Sequence, residues 1–171
     1  SSEISFKRRP RRNAAAAVVF YGAFSKSYFA IFIFASVACH NKPIMKTHKI
    51  AIVGLGATGT VLAAALLRKD PNTVLVGRSN DIGKTLVKEG IRVSGALSYL
   101  APVKNYCGRI GDLEKYNPDL IIISTNTCDL DRVLDELAAV FKPYPKIVSA
   151  HNGLGTEDLI AERFGADSAF R

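Results

Sequence analysis

The sequence predicts an α/β fold built on a doubly wound parallel sheet. Short β-branched apolar runs alternate with amphipathic helical stretches, which is the pattern of strands joined by crossover helices. The runs are continuously apolar, as expected for strands covered on both faces. The chain has 171 residues, of which 48% are hydrophobic and 22% charged, so one domain with a sizeable core is expected.

The first half of this domain is predicted to run strand, helix, strand, helix. A strand starts at Lys49, and the apolar helix that follows it ends at Asp70 and Pro71. Residues 74–77 form a second strand, and the next helix stops at Gly90. These elements complete a βαβ unit within about thirty residues. The stretch 91–116 is irregular and offers only short apolar pieces that could be small strands.

The second half continues the same alternation with clearer signals. Residues 119–124 form a continuous apolar run, as in a buried parallel strand. Apolar residues at helical spacing predict a helix over 129–141, which two prolines then stop. Residues 146–150 predict a further strand, and a final helix is expected over 156–164. Right-handed crossovers follow from this alternation.

The first 44 residues are set apart from the domain, which we assign to residues 45–171. They combine a basic cluster with two apolar stretches, in the manner of a secretory leader. A membrane anchor is another alternative, although Lys26 between the apolar stretches would cost about 2.5 to 3.5 kcal/mol at the bilayer centre. Met45 is the only methionine and lies just before the first strand, so we expect translation to start there and the upstream residues to be untranslated.

Charge and cysteine content exclude several classes of function. The net charge of +8 is concentrated in the first 44 residues, and the rest of the chain is nearly neutral, so a nucleic-acid-binding groove is not expected on the domain. Cys39, Cys107 and Cys128 have neither the pairing of a disulfide framework nor the spacing of a zinc site. We therefore expect no metal, no membrane association of the domain, and a cytoplasmic location.

A glycine-rich turn joins the first strand to the first helix. The segment Gly54-Leu55-Gly56-Ala57-Thr58-Gly59 has GxGxxG spacing. In such a turn the first glycine permits the bend, the second lets backbone approach a diphosphate, and the third lets helix and strand pack closely. The helix N-terminus adds unpaired N–H groups and partial positive charge. This placement predicts a Rossmann-type dinucleotide-binding domain, and a turn that serves only packing is the alternative.

Arg78 follows the second strand, at the position that distinguishes the two nicotinamide cofactors. An Asp or Glu there would hydrogen-bond the ribose 2′-hydroxyl of NAD. The sequence has no acidic residue at the end of this strand, and a guanidinium can instead bind a 2′-phosphate through paired, charge-assisted hydrogen bonds. NADP is therefore the predicted cofactor, and an exposed surface arginine is the alternative interpretation.

The loop after the last predicted strand, Ser149 to Glu157, reads SAHNGLGTE. Ligands of open parallel sheets bind beyond the carboxyl ends of the strands, so this loop is expected to face the cofactor crevice. The Asn152 amide offers both a donor and an acceptor and can orient a nicotinamide or a substrate oxygen. A left-handed asparagine in a turn is the alternative. His151 suits acid-base chemistry by its ordinary pKa, but a packed or loop-orienting histidine is favoured there.

Taken together, these segments resemble the ketopantoate reductases. The resemblance rests on KIAIVGLGATG, a strand ending in VGR, and HNGLGTED followed by a helix, and it covers about residues 49–171. It implies NADPH-dependent reduction of 2-dehydropantoate to pantoate, a small 2-oxo acid substrate, and a second, helical domain that brings the catalytic lysine. No catalytic residue is assigned within this chain, and a homodimer of the full-length enzyme is left open.

One departure from the family pattern affects the substrate. Members usually carry a lysine two residues after the apolar core of the strand that corresponds to residues 119–124, where this sequence has Thr125-Asn126-Thr127. Asn126 offers hydrogen bonds in place of a charge, so substrate preference is expected to differ within the family. Two alternatives therefore stay open: a two-domain dehydrogenase of another oxo acid or an opine, and a non-catalytic NADP-binding sensor.

Overall fold

The computed structural model describes residues 48–95, 97–152 and 155–171, together with the backbone of residues 18–20. Nine strands occur in this part of the chain. In chain order they are β1 (Val18–Phe20), β2 (Ile50–Val53), β3 (Val74–Val76), β4 (Ile91–Ser94), β5 (Tyr99–Ala101), β6 (Asn105–Cys107), β7 (Leu120–Ile123), β8 (Lys146–Ser149) and β9 (Ala169–Phe170). The expectations for residues 1–44 otherwise lie outside the described residues.

Four α-helices connect these strands. They are α1 (Ala57–Leu67), α2 (Asn80–Glu89), α3 (Leu130–Val140) and α4 (Thr156–Phe164), and a 3-10 helix covers Ile110–Tyr116. Gly90 ends α2 with a φ of 73°, in agreement with the predicted stop. Within the described residues, no helix has the length and apolar character needed to cross a membrane.

Six parallel strands form the main sheet, in the order β6-β3-β2-β7-β8-β9. Counted from β2, this is the 3-2-1-4-5-6 strand order of a dinucleotide-binding fold. The chain adds successive strands on one side of β2 first and then, from β7 onward, on the other side. The predicted doubly wound parallel sheet is therefore confirmed. A smaller sheet pairs β4 with β1 in parallel and with β5 in an antiparallel arrangement.

Helices cover both faces of the main sheet, as the apolar strands predicted. One core cluster joins α1 and α2 to Ile52, Leu75 and Ile122, and the other joins α3 and α4 to the alternate residues of the same strands. Ala51, Ile52 and Ile121 are fully inaccessible to solvent, so both faces of these strands are buried. Such burial is what parallel strands with crossover helices require.

The region that the sequence left irregular supplies the sheet's edge. Residues 91–116 contain the β4–β5 pair, the strand β6 and the 3-10 helix. Strand β6 pairs with β3 in parallel and has the sequence Asn-Tyr-Cys, which lacks the apolar run by which β2, β3, β7 and β8 were recognised. Its Tyr106 fills the space beside Gly77 and Gly83, where an added Cβ would lie 2.4 Å and 2.2 Å from the tyrosine side chain.

Candidate functional site

The candidate site lies at the carboxyl edge of the sheet, where the order of the strands reverses. Hydrogen bonds extend the ladders past the strand ends, from Gly54 N–H to the Val76 carbonyl at 3.1 Å and from Ser124 N–H to the Val53 carbonyl at 2.8 Å. A further bond joins the Ala150 N–H to the Ile123 carbonyl at 2.9 Å. The turns that leave β2, β3, β7 and β8 are therefore held next to one another, and a ligand crevice is expected there.

Two glycines of the β2–α1 turn are required by the fold itself. Gly54 has a φ of +98°, and a Cβ there would lie 2.7 Å from the Ser124 backbone. A Cβ on Gly59 would lie 1.9 Å from the Gly54 carbonyl oxygen, closer than any real contact. The absence of side chains at both positions lets α1 start directly against β2 and the end of β7.

Gly56 differs, because nothing in the fold requires it. It precedes α1 with φ −75° and ψ −166°, angles open to any residue, and a Cβ there would meet no atom within 4 Å. Its bare backbone is thus exposed to open space at the start of the helix. Ala57 and Thr58 are exposed beside it, whereas the Leu55 side chain packs on the core and leaves only its backbone for a ligand.

The first turn of α1 is suited to an anion. It has no side-chain cap and no acidic residue in its first turn, so its leading N–H groups stay available and its positive end is not neutralised locally. A diphosphate placed over Gly56 would meet those N–H groups without a steric obstacle. The turn therefore fits the group that the GxGxxG spacing predicted.

Arg78 lies at the end of β3, and its side chain is 72% exposed. Its Nη2 forms an ion pair with Oδ2 of Asp129, which begins α3 on the far side of β2. Asp129 also lies 3.5 Å from Arg132. The sequence has no acidic residue at the end of the second predicted strand, but the fold places Asp129 there, 51 residues after Arg78. Sequence reasoning missed Asp129 because no local pattern marks this contact.

Tyr106 fixes the backbone that carries Arg78. Its hydroxyl donates a hydrogen bond of 2.7 Å to the Ser79 carbonyl, and its ring packs against Gly77 and Gly83. Burial raises the pKa of Tyr106, so the phenol stays protonated and remains a donor at neutral pH. The segment that presents the guanidinium is therefore anchored on both sides of Arg78.

The two predicted asparagines lie on different turns of this edge. Asn126 is exposed after β7, and its carbonyl accepts a 2.9 Å hydrogen bond from the Asp129 N–H. Asn152 is exposed after β8. Among the described residues, Asn117 is the single non-glycine residue with positive φ, so the left-handed alternative for Asn152 does not hold. Gly155 takes the left-handed conformation in that loop instead, with a φ of +79°.

A buried row of side-chain hydrogen bonds supports the β8–α4 loop. The Ser149 hydroxyl donates to Thr156 Oγ1 at 2.9 Å, and Thr156 donates to Glu157 at 3.4 Å. The Ser149 hydroxyl also lies 2.9 Å from His151 Nδ1, and the tautomer of the imidazole sets which of the two groups donates. Burial lowers the pKa of His151, which keeps this ring neutral near pH 7. His151 thus orients the loop, and sequence reasoning favoured that role.

Two buried polar atoms at the crevice have no hydrogen-bond partner among the described residues. They are Oγ1 of Thr125, beyond β7, and Nε2 of His151, beyond β8. Buried polar groups are nearly always satisfied in folded proteins, so such atoms indicate a place where a bound molecule or water completes the bonding. These two atoms and the open backbone at Gly56 lie beyond the ends of β7, β8 and β2, on the same edge of the sheet.

The strand order defines a Rossmann-type α/β domain. The family described as ketopantoate reductase PanE/ApbA matches residues 50–171. The chain therefore belongs to the ketopantoate reductase family, which is a family of oxidoreductases, and the predicted resemblance is confirmed.

One curated protein is similar to this chain in sequence, and one solved structure is similar to it in fold. The chain is 28% identical to the 2-dehydropantoate 2-reductase of Pyrococcus horikoshii over 117 residues, which are 68% of this chain and 37% of that protein. The crystal structure of 2-dehydropantoate 2-reductase from Geobacter metallireducens superposes with a TM-score of 0.59 at 24% identity, over 70% of this chain and 39% of that one.

A second solved structure is also similar in fold. Prephenate dehydrogenase from A. aeolicus, solved with hydroxyphenyl propionate and NAD+, superposes with a TM-score of 0.55 at 15% identity, over 71% of this chain and 40% of that one. The chain thus spans 37 to 40% of the length of these three relatives.

Proposed function

We propose that residues 45–171 form the NADP-binding domain of a two-domain enzyme that reduces 2-dehydropantoate to pantoate with NADPH, in the pathway to coenzyme A. The observation that carries this proposal is the family match over residues 50–171, combined with an arginine at the end of the strand next to the glycine turn. The cysteine content supports a cytoplasmic setting, since buried Cys107 and exposed Cys128 are both free thiols.

Each part of the carboxyl edge has a role in this proposal. The turn from Gly54 to Gly59 holds the diphosphate through backbone N–H groups, and Arg78 binds the 2′-phosphate. The Asn152 amide orients the nicotinamide or the substrate carbonyl, and Asn126 donates to the substrate. NADPH, when bound, supplies the hydride. The Ser149, Thr156 and His151 side chains keep the loop that carries Asn152 in place. No catalytic residue is assigned in this chain.

A second candidate is the reduction of a different 2-oxo acid by the same kind of domain. It is favoured by Asn126, which occupies the position where the family carries lysine and is exposed at the mouth of the site. A neutral amide binds a substrate carboxylate less strongly than an ammonium group does. Sequencing of the gene past residue 171, followed by activity measurements on the full-length enzyme with several 2-oxo acids, separates the two candidates.

Cofactor binding is tested by calorimetry on the purified 171-residue chain. NADPH is expected to bind more tightly than NADH. Arg78→Ala is expected to lower the affinity for NADPH by about 10- to 150-fold, because charge-assisted hydrogen bonds contribute about 1.5 to 3 kcal/mol. NADH affinity is expected to change little in the same variant. Failure of the folded chain to take up either nucleotide would contradict the proposal.

A further inference from the structure

The ion pair between Arg78 and Asp129 bears on which cofactor the site prefers. The two residues come from opposite sides of β2, and the guanidinium of Arg78 is in direct contact with the carboxylate. The Arg78 side chain is otherwise 72% exposed, so its approach from solvent is open. Any anion that binds Arg78 must approach a guanidinium that already has a carboxylate partner.

We propose that Asp129 is a specificity-determining residue, which competes with the 2′-phosphate for Arg78 and so narrows the preference of the site for NADPH over NADH. This inference rests on the proposed cofactor-binding function. A 2′-phosphate carries about −1.5 to −2 charges at neutral pH, as other phosphate monoesters do, and would have to share the guanidinium with the carboxylate. NADH has a 2′-hydroxyl in that place, and this hydroxyl can donate a hydrogen bond to a carboxylate.

The surroundings of Asp129 do not cancel this effect. Arg132 lies 3.5 Å from Asp129, but it is also 2.5 Å from Glu136, so its charge is shared with a second carboxylate. The Asp129 side chain makes no capping hydrogen bond to the backbone of α3. Its carboxylate is therefore free to act on Arg78, and the residue can be replaced without loss of a cap.

The test is Asp129→Asn in the full chain, with NADPH, NADH and the fragment adenosine 2′,5′-bisphosphate titrated by calorimetry. The variant is expected to bind NADPH and the bisphosphate about fivefold more tightly, which corresponds to about 1 kcal/mol for one charge interaction near a surface. NADH is expected to bind equally or more weakly. The gain is expected to shrink at high salt because the charges are solvent-exposed.

Asp131→Asn is the matched control. It removes the same charge from the same helix and also breaks an aspartate–arginine pair, that of Asp131 with Arg163 at 2.9 Å. Its ratio of NADPH to NADH affinity is expected to equal that of the wild type. An equal shift in both variants would show a general charge effect and would overturn the inference.

A double variant ties the effect to Arg78. In the Arg78→Ala background, Asp129→Asn is expected to yield a smaller gain for the bisphosphate, because the two residues then share no interaction. An undiminished gain, an unchanged ratio in Asp129→Asn, or weaker NADPH binding by that variant would overturn the inference and leave the proposed function standing. A wild-type chain that is folded but binds no nucleotide would overturn both.

Discussion

The β2–α1 turn and the β7–α3 junction lie side by side at the carboxyl edge, yet they are specified in different ways. In the turn, Gly59 is fixed by a short-range contact, since a Cβ there would lie 1.9 Å from the Gly54 carbonyl oxygen. At the junction, Asp129 acquires its contact from Arg78, 51 residues away. A steric requirement within a few residues leaves a spacing that can be recognised, and a long-range charge contact leaves none.

The largest effect is expected at the turn. Gly59→Ala places a Cβ against the Gly54 carbonyl oxygen, and α1 must then move away from β2. We expect the free energy of unfolding to fall by about 2 to 3 kcal/mol, the upper part of the usual range for overpacking, as measured by urea denaturation.

Gly56→Ala is the control within the same motif. Its Cβ would meet no protein atom within 4 Å, so the loss of stability is expected to stay below about 1 kcal/mol. The added methyl group lies where the diphosphate is proposed to approach, so NADPH binding is expected to weaken by about tenfold or more. Equal stability losses in the two glycine variants would break the distinction between packing and binding glycines.

A smaller effect is expected in the β8–α4 loop. Ser149→Ala removes the hydroxyl that donates to Thr156 and is hydrogen-bonded to His151, and leaves both buried partners short of a hydrogen bond. The free energy of unfolding is expected to fall by about 1 to 2 kcal/mol. Thr85→Ala removes an exposed threonine hydroxyl bonded to the Asp81 carbonyl, and its effect is expected to lie within about 0.5 kcal/mol. Similar losses in both would mean that the buried network does not stabilise the loop.

The smallest expected effect is a pH dependence of the free energy of unfolding that His151 introduces. Burial lowers the pKa of His151 in the folded chain below its ordinary value of 6.5. Between the two pKa values the unfolded chain binds more protons, so stability falls as the pH drops from 6.5 towards the folded pKa. Urea denaturation at several pH values is expected to show this decrease in the wild type and a flatter profile in His151→Gln. Identical profiles would refute the assignment.

Much of the fold was predictable because its signals are local. The apolar runs gave β2, β3, β7 and β8, and the helix predicted over residues 156–164 coincides with α4. Strand β6 was not recognised, since Asn105, Tyr106 and Cys107 carry no apolar alternation and pair on one side only, at the edge of the sheet. These residues form a strand because they pair with β3, and their own composition does not indicate that pairing.

In the candidate site too, the features with local sequence signals could be predicted and those that depend on long-range contacts could not. Gly54, Gly56 and Arg78 follow strands and could be placed at the carboxyl edge because parallel strands end together. The pairing of Arg78 with Asp129, and the row of hydrogen bonds from His151 through Ser149 to Thr156, depend on side-chain geometry at distant positions. The sequence also offered a left-handed conformation for Asn152, which the fold assigns to Gly155.

Tyr106 has a consequence for how this domain can change over evolutionary time. Its ring occupies the volume that side chains at positions 77 and 83 would need, and its hydroxyl fastens the carbonyl of Ser79. A larger residue at position 83 is therefore compatible with the fold only where position 106 becomes smaller at the same time. Substitutions at these two positions are therefore coupled. The position of the neighbouring Arg78 guanidinium depends on an aromatic ring that belongs to another strand.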